Sequence, residues 1–278
     1  MQSDEQWKLQ RQADRDNATA MQDSGIVEIA SNPEMYLRYL ELQGDNPHYS
    51  PGNIALAMFQ NPNVTQFGTR EKWKSIGRSI MDAEVNKSFQ IFSRASFGKG
   101  YTLAPAYDIS QTYGREVKTV QLENGSPEME AALRTVLNYT VAQVVIDEHM
   151  DTPAFYDAER MELAVNPNYP DNEAFAAIAA EIAHCRMHAK GVNNYYTRGE
   201  CDLDAQSVSY MLCRRFGVER DVPDLSRLAE LYGDWTPQEV RQALDSVQDM
   251  SKKIGNSIER NIAPPEHTRG SQVKRPTR

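Results

Sequence analysis

An alternating stretch in the first half of the chain, followed by mostly helical spacing, limits the folds open to it. Between residues 88 and 110 apolar and polar residues alternate, first in SFQIFSRA and then in YTLAPAYDIS, around a Gly98-Lys99-Gly100 turn. Alternation at period two marks strands with one buried face, and the two runs read as a hairpin. From Ser126-Pro127 onward the spacing turns helical. DNEAFAAIAAEIAHCRMHAKG and GECDLDAQSVSYMLCRRFGV each read as a helix, and TPQEVRQALDSVQDMSKKIGNSIERNI as a long amphipathic one. PEMEAALRTVLNYTVAQVVIDEH reads as a further single helix, and FYDAERMELAVNP as a strand pair. Strands and helices segregated in this way predict an α+β fold: a small α+β module followed by a mostly helical domain.

Helix punctuation fills in the first module. Asn32 caps, Pro33 opens and Gly44 closes NPEMYLRYLELQG, and Ser50, Pro51 and Asn61-Pro62 do the same for SPGNIALAMFQNP. TREKWKSIG is a third short helix after the strand NVTQF, and GREVKTVQLENGSPE is the linker. The expected organisation is a polar helix or disordered arm over 1–23, the module over 24–120, the helical domain over 121–263 and a disordered basic tail over 264–278.

Charge is unevenly placed. The chain carries a net −9, yet residues 46–120 hold nine Lys/Arg against five acids, together with ten aromatic residues. Cations interleaved with rings suit single-stranded nucleic acid, where bases stack and Lys or Arg follow the phosphates. The competing use of the same rings is to fill a core. No run approaches the roughly 20 apolar residues of a membrane span, and the N-terminus has no apolar signal core. The three cysteines, Cys185, Cys201 and Cys213, are too few for a disulfide framework. The expected compartment is the cytoplasm.

AAEIAHCRMH, residues 179–188, carries the chemistry in question. A zinc-peptidase helix reads H-E-x-x-H; here Glu181 and His184 stand in register, but position 180 is Ala. At about 100° per residue, Phe175, Ile178, Ile182 and Cys185 form the core stripe, while Glu181, His184 and His188 share a neighbouring face. The next helix begins with Glu200, Asp202 and Asp204. A shifted site can be drawn in which His184 and His188 bind metal, Asp204 or Glu200 completes the set and Glu181 is the general base. The alternative gives Glu181 to Arg186 or Arg198 on a solvated face, makes His184 a satisfied half-buried histidine, and explains His188 by the helix C-terminus. Spacing leaves both standing.

Two stretches resemble a known family. Tyr49, Ser50, Asn53, Gln60 and Trp73, followed by Asp108, Ser110, Gln111 and Thr112, resemble the N-terminal single-stranded-DNA-binding domain of ArdC-like antirestriction proteins. FAAIAAEIAHCRMH and GECDLDAQSVSYMLCRRFGV look like the zincin-type metallopeptidase domain of ArdC-like and LtrC-like proteins of conjugative elements and phages. The resemblance covers roughly residues 31–260. It implies DNA contacts at Tyr49, Asn53, Gln60 and Trp73, to which the local charge and rings add Lys74, Arg78, Lys99 and Tyr101, with single-stranded DNA and a host protein as partners and protection of transferred DNA from restriction. It also exposes a departure, because the family's first histidine is Ala180 and its downstream Glu is Gln206. One imidazole cannot hold a catalytic zinc, for which three protein ligands are the norm. The expectation is therefore a degenerate, inactive zincin-like domain without a cofactor. The alternatives are an active Zn2+ protease at His184, His188 and Asp204, or an interaction module built on the last helix.

Overall fold

The structure, a computed structural model, describes residues 4–95, 100–189 and 196–262. Lys99 and the tail 264–278 lie outside them. The first segment is helix α1 (Asp4–Ser31), which meets no breaker until Asn32-Pro33. Its outer turns expose Trp7 and Leu9, whereas Ile26, Ile29 and Ala30 near its end are buried. Helix α2 (Pro33–Asp45) is capped by Asn32, whose side chain accepts the Glu34 and Met35 amides. Helix α3 (Pro51–Gln60) is capped by Ser50 in the same way, through the Asn53 amide. Gly44, expected to end α2, sits inside it. Its role is close approach: a Cβ there would stand 2.8 Å from the Arg214 side chain.

Strand β1 (Phe67–Thr69) precedes α4 (Arg70–Ser75), β2 (Arg78–Ile80), β3 (Phe89–Arg94), β4 (Tyr101–Asp108) and β5 (Thr112–Gly114). The hairpin is as expected: β3 and β4 pair antiparallel with Arg94 opposite Tyr101, in a sheet ordered β1-β4-β3, while β2 pairs with β5. Helix α3 lies along the outer edge of β3. The Asn53 amide accepts from Phe92 N and donates to Phe92 O, both at 2.8 Å. The Gln60 amide, two turns on, does the same for Gln90 at 2.9 and 2.8 Å.

The expected helix from Pro127 ends early. Helix α5 (Pro127–Leu137) stops at Asn138, and Gln143–Ile146 becomes strand β6. Val144, Val145 and Ile146 are β-branched, which favours the pleated backbone over the helix. Strands β7 (Ala154–Asp157) and β8 (Glu162–Val165) complete a sheet ordered β6-β8-β7, leaving β7 at an edge. Helices α6 (Asp171–Ala189), α7 (Arg198–Phe216), α8 (Leu228–Tyr232) and α9 (Pro237–Ile262) follow. The fold is α+β.

The boundary expected near residue 120 does not divide the core. One apolar cluster runs from Ile26 through Tyr36, Phe67 and Ile91 to Phe175, Phe216 and Ile258, and a small second one holds Trp73, Ile80 and Tyr107. Polar links cross the same boundary: Tyr36 Oη lies 3.0 Å from Ser207 Oγ, Arg214 pairs with Asp45 at 2.9 Å, and Arg241 with Asp23 at 2.7 Å. No helix among the described residues is long and apolar enough to cross a membrane.

Candidate functional site

Helices α6 and α7 pack side by side, with the Ser209 hydroxyl donating to Ala176 O at 2.6 Å. Ala176, Ala177 and Ala180 keep that face of α6 low. Glu181 is 7 % exposed and faces the edge of β7. Its Oε2 accepts the Tyr156 amide at 2.7 Å, and the Arg198 guanidinium grips the carboxylate bidentately, with Nη1 3.1 Å from Oε1 and Nη2 on Oε2. Arg198 Nη2 also donates to Tyr156 O at 3.3 Å, and the guanidinium lies 4.5 Å from the Phe155 ring centroid. Glu181 thus pairs with Arg198 rather than with His184 or Arg186, and it does so buried instead of on a solvated face.

His184 is fully buried. Its Nε2 lies 3.2 Å from Asp202 Oδ1 and its Nδ1 3.0 Å from the Tyr196 hydroxyl. With Asp202 ionised, Nε2 carries the proton, and Nδ1 accepts from Tyr196 in the neutral ring. The hydrogen bond from His184 holds the Asp202 carboxyl below its ordinary range against desolvation, with Gln206 adding to the effect. His188 Nδ1 is 2.7 Å from the Tyr156 hydroxyl, and its ring rests on Tyr196 at 4.8 Å. Both nitrogens of His184 and one of His188 are therefore engaged by protein groups.

Asp204 is elsewhere. It accepts the Tyr232 hydroxyl on the far side of α7, in a polar cluster with Tyr36 and Ser207. Desolvation raises its carboxyl to about 6, with the Tyr232 hydrogen bond opposing. A carboxyl whose folded value is raised stabilises the fold below its ordinary value and loses that contribution as pH climbs through the folded one. Asp204→Asn is therefore expected to raise Tm by about 2–4 °C at about pH 7.5 and to change it little near pH 4. Thermal scans at the two pH values check this, and a fall at both would show that the carboxyl group itself is required.

The residues do not fit a catalytic metal. His184, His188 and Asp204 are not brought together, and among the described residues no three His, Cys, Asp or Glu side chains converge as a ligand set. The two positions where the resemblance departs are Ala180, which brings no donor, and Gln206, whose Oε1 accepts from Arg220 at 2.9 Å while its Nε2 reaches Asp202 at 3.5 Å. Sequence reasoning had named Arg198 and Asp202 as neighbours of the site. It missed Tyr156 and Tyr196, whose meeting with α6 depends on tertiary packing and leaves no local signal.

The nucleic-acid candidates fall into two groups. Trp73 is 1 % exposed and its indole N–H donates to Tyr107 O at 3.0 Å, so its ring fills the small core. Asn53 and Gln60 have both ends of their amides on β3. Arg78 donates to Thr112 Oγ1, Thr112 O and Arg115 O, tying β2 to β5. These four are structural in this arrangement. Tyr49 is half-buried, stacked on Phe67 with ring centroids 4.4 Å apart, and burial pushes its hydroxyl up to about 12. Lys74 and Tyr101 are exposed, as are Arg94, Tyr113 and Arg115, which the sequence presents among the cations and rings of the module but not in the contact set.

The fold is similar to that of the antirestriction protein ArdC from plasmid R388 in its Mn(II)-bound crystal structure. The TM-score is 0.53 at 14 % identity, with 90 % of this chain and 99 % of that chain covered. The metal-free crystal structure of the same protein aligns with a TM-score of 0.45 at 13 % identity, over 77 % and 85 % of the two chains. No family model and no curated protein matches the sequence. The likeness is one of fold, and it agrees with the resemblance read from the sequence.

Proposed function

We propose that the protein binds single-stranded DNA and serves a mobile genetic element in an antirestriction role, with its zincin-like helix pair converted to a structural ion pair. The observation that carries the DNA reading is the exposed rim of the first module. Tyr101 and Tyr113 are 56 % and 60 % exposed, Tyr101 stands opposite Arg94 across the hairpin, and Lys74 and Arg115 lie open on α4 and after β5. Rings of this kind stack bases without regard to sequence, while the cations follow phosphates. The ArdC-like fold supports the same role. Arg198 on Glu181 supports the loss of peptidase chemistry, since a carboxylate held by a guanidinium cannot take a proton from a metal-bound water.

The test uses the full chain, because the core spans both halves. A labelled single strand is expected to bind at micromolar concentration or tighter, well ahead of the matching duplex. Affinity should fall by roughly 7–20-fold between about 50 and 200 mM salt, as for two or three phosphate contacts on a single strand. Lys74→Glu and Arg94→Glu should each weaken binding by about 3–10-fold. A chain that binds no strand at micromolar concentration would overturn the reading.

A further inference from the structure

A cleft of about 1350 Å³ opens where the two halves of the chain meet. One wall carries Tyr49 and Lys72, the other carries Ala180, Gln206 and Tyr210, and Arg220 stands just beyond α7. Most of its charges are matched. Arg214 pairs with Asp45 and Arg215 with Glu259, each at 2.9 Å, and Glu181 is held by Arg198. Among the described residues, Lys72 and Arg220 are the half-buried exceptions, while Lys118, also on the lining, is exposed. Lys72 Nζ donates to Phe67 O at 2.7 Å and lies 4.9 Å from the Tyr49 ring centroid. Arg220 donates to Gln206 Oε1 at 2.9 Å, Ser209 Oγ at 2.6 Å and Asp221 O at 3.0 Å, and lies 5.9 Å from the Tyr210 ring centroid. Both are half-buried, and among the described residues neither has a carboxylate within ion-pair distance. The remaining acids of the cleft, Glu173, Glu219 and Asp221, are exposed to solvent.

Two half-buried cations without counter-ions are costly to keep unless something negative joins them. Burial pulls the Lys72 amine down to about 8, and it lowers the Arg220 guanidinium as well, against the attraction of Asp221 and Asp202. Each cation has an aromatic neighbour, and Arg215, another wall residue, keeps a buried Nη1 without a partner. Pockets for small molecules run to roughly 300–1,000 Å³, so this cleft has room for more than one nucleotide. We propose that a short run of the single strand enters this cleft, with Lys72 and Arg220 neutralising its phosphates and Tyr210 meeting a base. The inference rests on the DNA-binding reading above and extends it from the exposed rim to the interior.

Binding of a labelled oligonucleotide to the full chain at about pH 7 and pH 9.5 tests it. An amine that must be protonated to hold a phosphate loses affinity as pH passes its own value, so wild type should weaken by roughly 5–10-fold across that interval. Lys72→Arg should bind as tightly as wild type at pH 7 and lose most of the pH dependence. Lys72→Met should bind roughly tenfold more weakly at pH 7, also without the pH dependence, and its log–log salt slope should drop by about 0.7. Lys74→Met on the outer rim should weaken binding yet keep the wild-type pH dependence. Thermal melts show whether each variant is folded, and Arg220→Lys provides a second variant with a measurable loss. If wild type binds the strand and a folded Lys72→Met matches it in affinity and salt slope, the cleft is not the site and the DNA reading stands. If wild type binds no strand, both fail. Displacement of the strand by poly-glutamate as effectively as by unlabelled strand would assign the cleft to an acidic peptide and overturn the proposal.

Discussion

Arg198→Ala is expected to destabilise the fold by about 2–4 kcal/mol, because it strands a buried carboxylate. Glu181 would keep only the Tyr156 amide, and that single bond cannot replace a bidentate guanidinium. Glu181→Ala should cost a similar amount, since it leaves the Tyr156 N–H and the half-buried Arg198 unpaired together. Glu181→Gln should cost less, about 1–2 kcal/mol, because the amide oxygen still accepts from Tyr156. The pair Glu181→Leu with Arg198→Met, which removes both charges and preserves volume, should recover most of the stability lost by either charge deletion alone. Urea midpoints for the two singles and the double close the cycle. Single variants within about 0.5 kcal/mol of wild type would show that the ion pair contributes little.

The second large effect is a gain. Ala180→His with Gln206→Glu should make a protein that retains about one equivalent of Zn2+ through dialysis, with a dissociation constant on the order of micromolar, where the described residues hold no converging ligand set. The geometry favours it: position 180 is one turn before His184, and Gln206 already reaches the Asp202 carboxylate that His184 touches. Arg220, bonded to Gln206 Oε1, would compete for the new carboxylate and hold affinity below that of a dedicated site. Peptide hydrolysis should not accompany the metal, because Glu181 remains on Arg198. Adding Arg198→Met should be needed before any metal-dependent cleavage appears. Metal analysis of the dialysed double variant settles the first part. A folded double variant that retains no zinc would mean that α6 and α7 do not present these positions to one another.

Much of the fold was legible where the signal is local. Asn32-Pro33 and Ser50-Pro51 start helices because cap and ring geometry act within four residues. The β3–β4 hairpin followed from strict alternation, and α9 from its sustained amphipathic stripe. What failed depended on distant partners. Gly44 reads as a stop signal, yet its role is set by Arg214 on α7. The 127–149 segment has helical spacing throughout, but pairing with β8 recruits its β-branched end into a sheet. At the site, the AExxH register draws attention to Glu181 and His184, which the fold places in buried polar contacts. It could not reveal that Tyr156 and Tyr196, from opposite sides in sequence, supply the hydroxyls that occupy His188 and His184. Trp73, Asn53 and Gln60 look alike as binding or packing residues until the strand they serve is placed beside them.

The side chains fastened along β3 and β7 have a consequence for how the molecule behaves in a crowd. A sheet margin with unsatisfied backbone groups is a template on which another chain can grow. Here Gln90 and Phe92 are closed by the Gln60 and Asn53 amides, and Tyr156 by Glu181 and Arg198. Neither margin offers those positions to a neighbour. Residues that resemble contact points for DNA or a catalytic base thus act as insulation along these two margins.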